Sequence, residues 1–132
     1  MIYYYTAKTM RDALSHLRDR LDHTGLLLSG LCAVHCVLSV VIVSALGLGG
    51  QFLLDPHIHE VGLALALAIG GISLGFGVLR HGRLGPLLIG AAGLALMAAA
   101  ISVPHGTGEA ALTVIGVALV ALAHIRNLRP QT

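Results

Sequence analysis

Four long apolar stretches, at residues 25–50, 58–79, 84–103 and 110–125, dominate this chain of 132 residues. Each is close to the roughly 17–25 residues a helix needs to cross a hydrocarbon core; the fourth is at the short end and draws on its flanks. Charged residues make up 11% of the chain and hydrophobic ones 56%, which leaves too little polar surface for a soluble domain of this size. That shortage excludes a secreted disulfide scaffold, a nucleic-acid binder and a disordered tail. The expected fold is all-α, a polytopic membrane protein built as a four-transmembrane-helix bundle.

The breaks between stretches are short, at 51–57, 80–83 and 104–109. Asp55-Pro56 is a good helix start, because proline at the first helical position gives up only a donor that has no partner anyway. Gly and Ala recur within the spans, and Gly71 with Gly75 forms a small-xxx-small pair of the kind that lets helices approach closely in lipid.

Charge placement predicts the topology. Lys8, Arg11, Arg18 and Arg20 precede the first stretch, Arg80 and Arg83 separate the second and third, and Arg126 and Arg129 follow the fourth. No other Lys or Arg exists, so four crossings put every basic residue on one side, which the positive-inside rule makes cytoplasmic. Both termini are therefore expected in the cytoplasm. A formal charge of +2 spread this way builds no basic face for nucleic acid. Residues 1–24 read as a cytoplasmic or interfacial segment, with Met10, Leu14, Leu17 and Leu21 at helical spacing between charges. A cleaved signal peptide is not expected: the charges continue to Asp22, the next stretch is long enough to span, and no small-residue cleavage site follows. Residues 25–127 form the transmembrane domain and 128–132 a short tail.

The chemistry sits in the first span, in Cys32-Ala33-Val34-His35-Cys36. On a helix Cys32 and Cys36 are one turn apart, roughly 5–6 Å between β-carbons, with His35 at the edge of that face and Ser29 and Ser39 extending it. Thiolate and imidazole select zinc, copper(I) and similar ions over magnesium or calcium. Two thiolates suit a linear ion such as Hg(II), whereas zinc needs His35 and a further donor from another helix. Cysteines alone could be small buried hydrophobes, and a disulfide is disfavoured at this spacing. An ionisable histidine inside a span is costly and points to function. That tips the reading towards a metal ion held by Cys32, His35 and Cys36.

Asp55, His57, His59, Glu60, His105 and Glu109 gather at the opposite end from the basic residues. They form a mouth that attracts cations, although acids near helix N-termini also complement the dipole. His57 and Glu60, three residues apart, are best spaced to share an ion. His81 and His124 end the second and fourth spans, where a histidine caps a helix well or, as a pair, relays an ion out. His16 and His23 read as solvated or interfacial.

Leu28-Ser29-Gly30-Leu31-Cys32-Ala33-Val34-His35-Cys36, the His57 to Glu60 region, Arg80-His81 and Leu122-Ala123-His124-Ile125-Arg126-Asn127 together resemble the MerC-domain family of inner-membrane mercury and heavy-metal transport proteins. The resemblance spans about residues 22–128. It implies a four-helix protein of the bacterial inner membrane that takes up soft metal ions, with Cys32 and Cys36 as the metal-binding pair. Mercury-resistance members pass Hg(II) to a cytoplasmic reductase and carry a further cysteine pair in their tail; here the chain ends Leu128-Arg129-Pro130-Gln131-Thr132. That difference, with His35 beside the pair, moves the expected cargo towards Zn(II), with Hg(II) next.

The expected function is passage of such an ion from His57, His59, Glu60, His105 and Glu109, through Cys32, His35 and Cys36, and out past His81 or His124. No G-x-x-x-x-G-K-[ST] motif is present, so any transport must be passive, ion-coupled or driven by a partner. Metal displaces protons from thiol and imidazole, which makes binding proton-linked. Expected partners are the lipid bilayer, the metal ion and a cytoplasmic metal acceptor of unknown identity. Four helices enclose little volume for a permeation route, which makes a homo-oligomer a reasonable assembly. Two other readings use the same residues: a membrane metal sensor or assembly subunit that does not transport, and a b-type haem bundle. Against haem, the histidines lie mostly at span ends, and Cys-x-x-His-Cys is not the c-type order. An enzyme is not expected, since neither a Ser-His-Asp nor a paired-carboxylate arrangement is evident.

Overall fold

A computed structural model describes residues 1–46 and 55–129. Its helices, in chain order, are α1 (Ile2–Leu46), α2 (Pro56–His81), α3 (Gly85–Ile101) and α4 (Thr107–Leu128). Three of them are long and apolar enough to cross a membrane, and α3 is a shorter apolar helix. The all-helical, four-helix expectation holds. Positions 47–54 and 130–132, which include the end of the first predicted stretch and most of the tail, lie outside the described residues.

The boundaries follow local chemistry. Asp55 caps α2 by accepting the His57 backbone N–H at 2.9 Å, and Pro56 occupies the first turn. Gly82 ends α2 in the left-handed region at φ 65°, its N–H bonded to Val78 O at 2.8 Å, a backbone state that favours glycine. Helix α4 runs for 22 residues, three earlier and three later than its apolar stretch, so the polar flanks do extend the fourth span.

Helix α1 is continuous for 45 residues, roughly 68 Å at 1.5 Å per residue. A hydrocarbon core of about 30 Å accounts for less than half of that. The amphipathic N-terminal segment is thus helical and runs into the first span without a break.

The tightest packing joins α3 and α4. A Cβ added at Gly93 would meet Gly116 O at 2.6 Å, and one added at Gly116 would meet Gly93 O at 2.8 Å. These two glycines let the backbones touch, which in lipid supplies the van der Waals contact that hydrophobicity does not. Gly71 and Gly75, the pair singled out by spacing, instead have open space where a side chain would go. Spacing alone carries no azimuth, and theirs points away from the bundle. Gly93→Ala should therefore destabilise the protein by ~1–3 kcal/mol in a thermal melt in detergent, while Gly71→Ala stays within about 0.5 kcal/mol of wild type.

Candidate metal site

Helix α1 turns a polar stripe inward. Its buried positions include Asp22, Gly25, Ser29, Cys36 and Ser39, with Cys32 half-buried in the same register. The steps of three, four and seven residues keep them on one face of the helix. The Ser39 hydroxyl is occupied, donating to His35 O at 2.7 Å.

Helix α2 supplies the facing residue. Once Asp55 and Pro56 set the register, His59 falls in line with Gly62, Ala66, Gly70, Ser73 and Gly77, the positions α2 turns towards its neighbours. His57 and Glu60 fall on the outer side, their side chains 83% and 55% exposed and 3.4 Å apart. Of the three, only His59 enters the bundle.

His35, Cys36 and His59 converge. One ligand atom from each lies within 4.8 Å of the other two. Cys36 Sγ is 3.7 Å from His59 Nε2, and the two imidazole centroids are 5.5 Å apart. Two buried nitrogens here, His35 Nε2 and His59 Nδ1, have no hydrogen-bond partner among the described residues. Buried polar atoms are nearly always satisfied, so a pair of orphans in one spot calls for a missing partner. With bonds of about 2.0–2.3 Å, tetrahedral zinc holds its donors roughly 3.3–3.8 Å apart. A contraction of about 1 Å would close the three around one ion.

Helix α4 completes the surroundings. Glu109 lies in its first turn and is buried, 6% exposed, not displayed in a loop. One carboxylate oxygen is 2.8 Å from His105 Nδ1 and the other 3.8 Å from His59 Nδ1. The second distance is too long for a hydrogen bond. A small movement would give the carboxylate-backed imidazole that orients many metal-bound histidines. The cluster borders a crevice of about 610 Å³ between α1 and α2, lined by Cys32, His57, Val61 and Leu65 among others.

A family model described as MerC mercury resistance protein matches residues 22–129. The chain belongs to the MerC family. No curated relative and no solved structure matches it. Family membership carries a membrane role related to the transport of mercury or other metal ions. The MerC match begins at Asp22 and takes in every residue of the cluster.

The geometry regroups the residues singled out from sequence. Cys32, expected beside His35 and Cys36, stands one turn further along α1, outside the close group, and His59 takes the third place. Among the mouth residues, His59, His105 and Glu109 are linked, while His57 and Glu60 stay on the surface. His81 and His124 sit at the other end, engaged in hydrogen bonds. His81 Nδ1 accepts the Arg83 backbone N–H at 3.1 Å, so its Nε2–H donates to Asn127 Oδ1 at 3.0 Å.

One residue was missed altogether. Asp22, fully buried, takes hydrogen bonds from the Ser73 hydroxyl and from His124 Nδ1 at 2.6 Å on Oδ1, and from Asn127 Nδ2 at 2.9 Å on Oδ2. By sequence it is only the last charge of the cytoplasmic or interfacial segment. The signal was present, because Asp22 is seven residues before Ser29 on the same stripe. Between this network and Cys32 the seam narrows to a void of about 10 Å³ bordered by Gly25, Ser29 and His124, room for about one water. Among the described residues, the bundle is open at the His59 end and closed at the Asp22 end.

Proposed function

We propose that this protein takes up a soft or borderline metal ion across the bacterial inner membrane, with both termini cytoplasmic, and that His35, Cys36 and His59 are the ligands that first hold it. The convergence of these three donors, two of them with orphaned buried nitrogens, carries the reading. Two imidazoles and one thiol make a mixed set that favours Zn(II), with Hg(II) as the next cargo. Three protein donors leave a coordination position open, and an ion that must move on needs one.

His105 and Glu109 gather cations at the mouth, with His57 and Glu60 contributing from the rim. Cys32, one turn deeper, is the next donor. Beyond it the ion leaves past His124 and His81, which requires the Asp22 network to open. A homo-oligomer would widen this route, and a cytoplasmic acceptor would receive the ion.

Uptake of Zn(II) and Hg(II) into proteoliposomes tests the reading, with wild type compared against His59→Ala. Wild type should accumulate metal, and His59→Ala should lose at least ~10-fold in Zn(II) uptake, because a ligand weighs more than the outer-shell partners whose loss costs 10–100-fold. Unchanged Zn(II) uptake in His59→Ala would remove the three-ligand site. Binding without flux would favour the sensor or subunit reading, and a Soret band in the purified protein would favour haem.

A further inference from the structure

The two helix segments at the basic end of the bundle leave a groove that the metal route does not use. Leu14, Leu17 and Leu21 of α1 and Phe76 of α2 form its apolar wall, with Arg11, Arg18 and Arg80 around it, and it encloses about 290 Å³. We propose that this groove binds an anionic phospholipid of the adjacent leaflet, its phosphate between Arg11 and Arg80 and one acyl chain against Phe76 and the leucines.

Three observations lead to that occupant. The first is axial order. Helix α1 enters its apolar span after Asp22, and α2 leaves its own at Leu79. Leu21 and Phe76 therefore lie nearest the membrane interior, with Arg11 and Arg80 furthest out. An amphiphile with an anionic head and an apolar tail has the same order.

The second is unspent charge. Arg18 is held by Asp19, with Nη2 2.6 Å from Oδ1. Arg11 and Arg80 have no acidic partner within ion-pair distance among the described residues. A guanidinium is well matched to a phosphate, which it binds through two parallel hydrogen bonds. The third is exposed apolar area, with Leu14 50%, Leu17 52% and Phe76 46% exposed beside those cations. A second copy of the chain docked symmetrically would bring the same arginines together, and like charges oppose that arrangement.

The chain has no tryptophan, so Phe76→Trp places a lone fluorophore on the groove wall. The variant is reconstituted in phosphatidylcholine containing a small fraction of brominated phosphatidylglycerol or brominated phosphatidylcholine. Brominated phosphatidylglycerol should quench the indole preferentially. Adding Arg11→Gln and Arg80→Gln should weaken that preference by about fivefold per arginine removed, as expected for a basic residue near an anionic surface. The preference should survive inorganic phosphate at matched ionic strength.

Equal quenching by the two headgroups, or a preference untouched by the double substitution, would overturn the assignment. Loss of the preference to inorganic phosphate would mean a site for the free anion. Protection from both bromolipids that grows with protein density would mean that a second copy fills the groove. Both outcomes also sink the lipid assignment.

Discussion

Cys36→Ser should lower metal affinity and uptake by ~100-fold or more, whereas Cys32→Ser should cost less than about 10-fold for Zn(II). The difference follows from position. Cys36 is 4% exposed and its sulfur faces His59 Nε2 at 3.7 Å, so removing it takes away one of three converging donors. Partners that only orient a ligand cost 10–100-fold in metal affinity when removed, and a direct ligand should cost no less than the upper end of that range. Cys32 stands outside the group of three, so its loss removes only the next station. A thiol-only site made of Cys32 and Cys36 predicts equal losses from the two substitutions. Isothermal titration with Zn(II) and Hg(II) on the purified variants, alongside proteoliposome uptake, separates the two schemes. Equal losses for both metals would return the site to the cysteine pair. Glu109→Gln offers an internal scale, with an expected loss of about 10–100-fold if the carboxylate orients His59.

Asp22→Ala should produce the largest loss of stability of any single side-chain truncation in the bundle, ~3–5 kcal/mol in a reversible unfolding titration. Asp22 is the shared acceptor for donors from two other helices: Ser73 on α2, and His124 and Asn127 on α4. Removing it leaves the Ser73 hydroxyl and His124 Nδ1 without their partner in a buried site, while Asn127 Nδ2 keeps only its 3.4 Å contact to Ser73 O. Each unsatisfied buried group costs about 1–3 kcal/mol before relaxation. Single hydrogen bonds between membrane helices average only about 0.6 kcal/mol, so a result near that value would mean the donors find other partners. His124→Ala removes one donor and leaves Asp22 its other two, so a loss of ~1–3 kcal/mol is expected. The double variant should then be less destabilised than the sum, because both substitutions act on one network.

On the proposed route, that network would bear on transport as well as folding. It joins α1, α2 and α4 at the end opposite the crevice, and an ion leaving past His124 would have to break some of its bonds.

Much of this was legible in the chain. Apolar length and sparse charge were enough for four membrane helices, because crossing a hydrocarbon core makes demands that are additive along the sequence. Local signals were also enough for the start of α2 at Asp55-Pro56 and for the thiol stripe of α1, whose period is a property of one helix. The family resemblance drawn from those motifs agrees with the family match. Burial was less legible. Charge and nearness to a span end place Asp22 in the cytoplasmic or interfacial segment and His59 and Glu109 in the outward mouth. All three turn inward, because burial depends on which side of a helix meets its neighbours.

The sequence by itself determined the class of molecule, its number of helices and the presence of thiol and imidazole within the first span, since each of these is written in composition and in the period of a single helix. The tertiary structure alone decided that His59 joins His35 and Cys36, that Gly93 and Gly116 rather than Gly71 and Gly75 make the close helix contact, and that Asp22 locks three helices together. Those outcomes depend on the rotation and offset of one helix against another. They are set by packing between residues as far apart in the chain as Asp22 and Asn127, and no local pattern encodes that geometry.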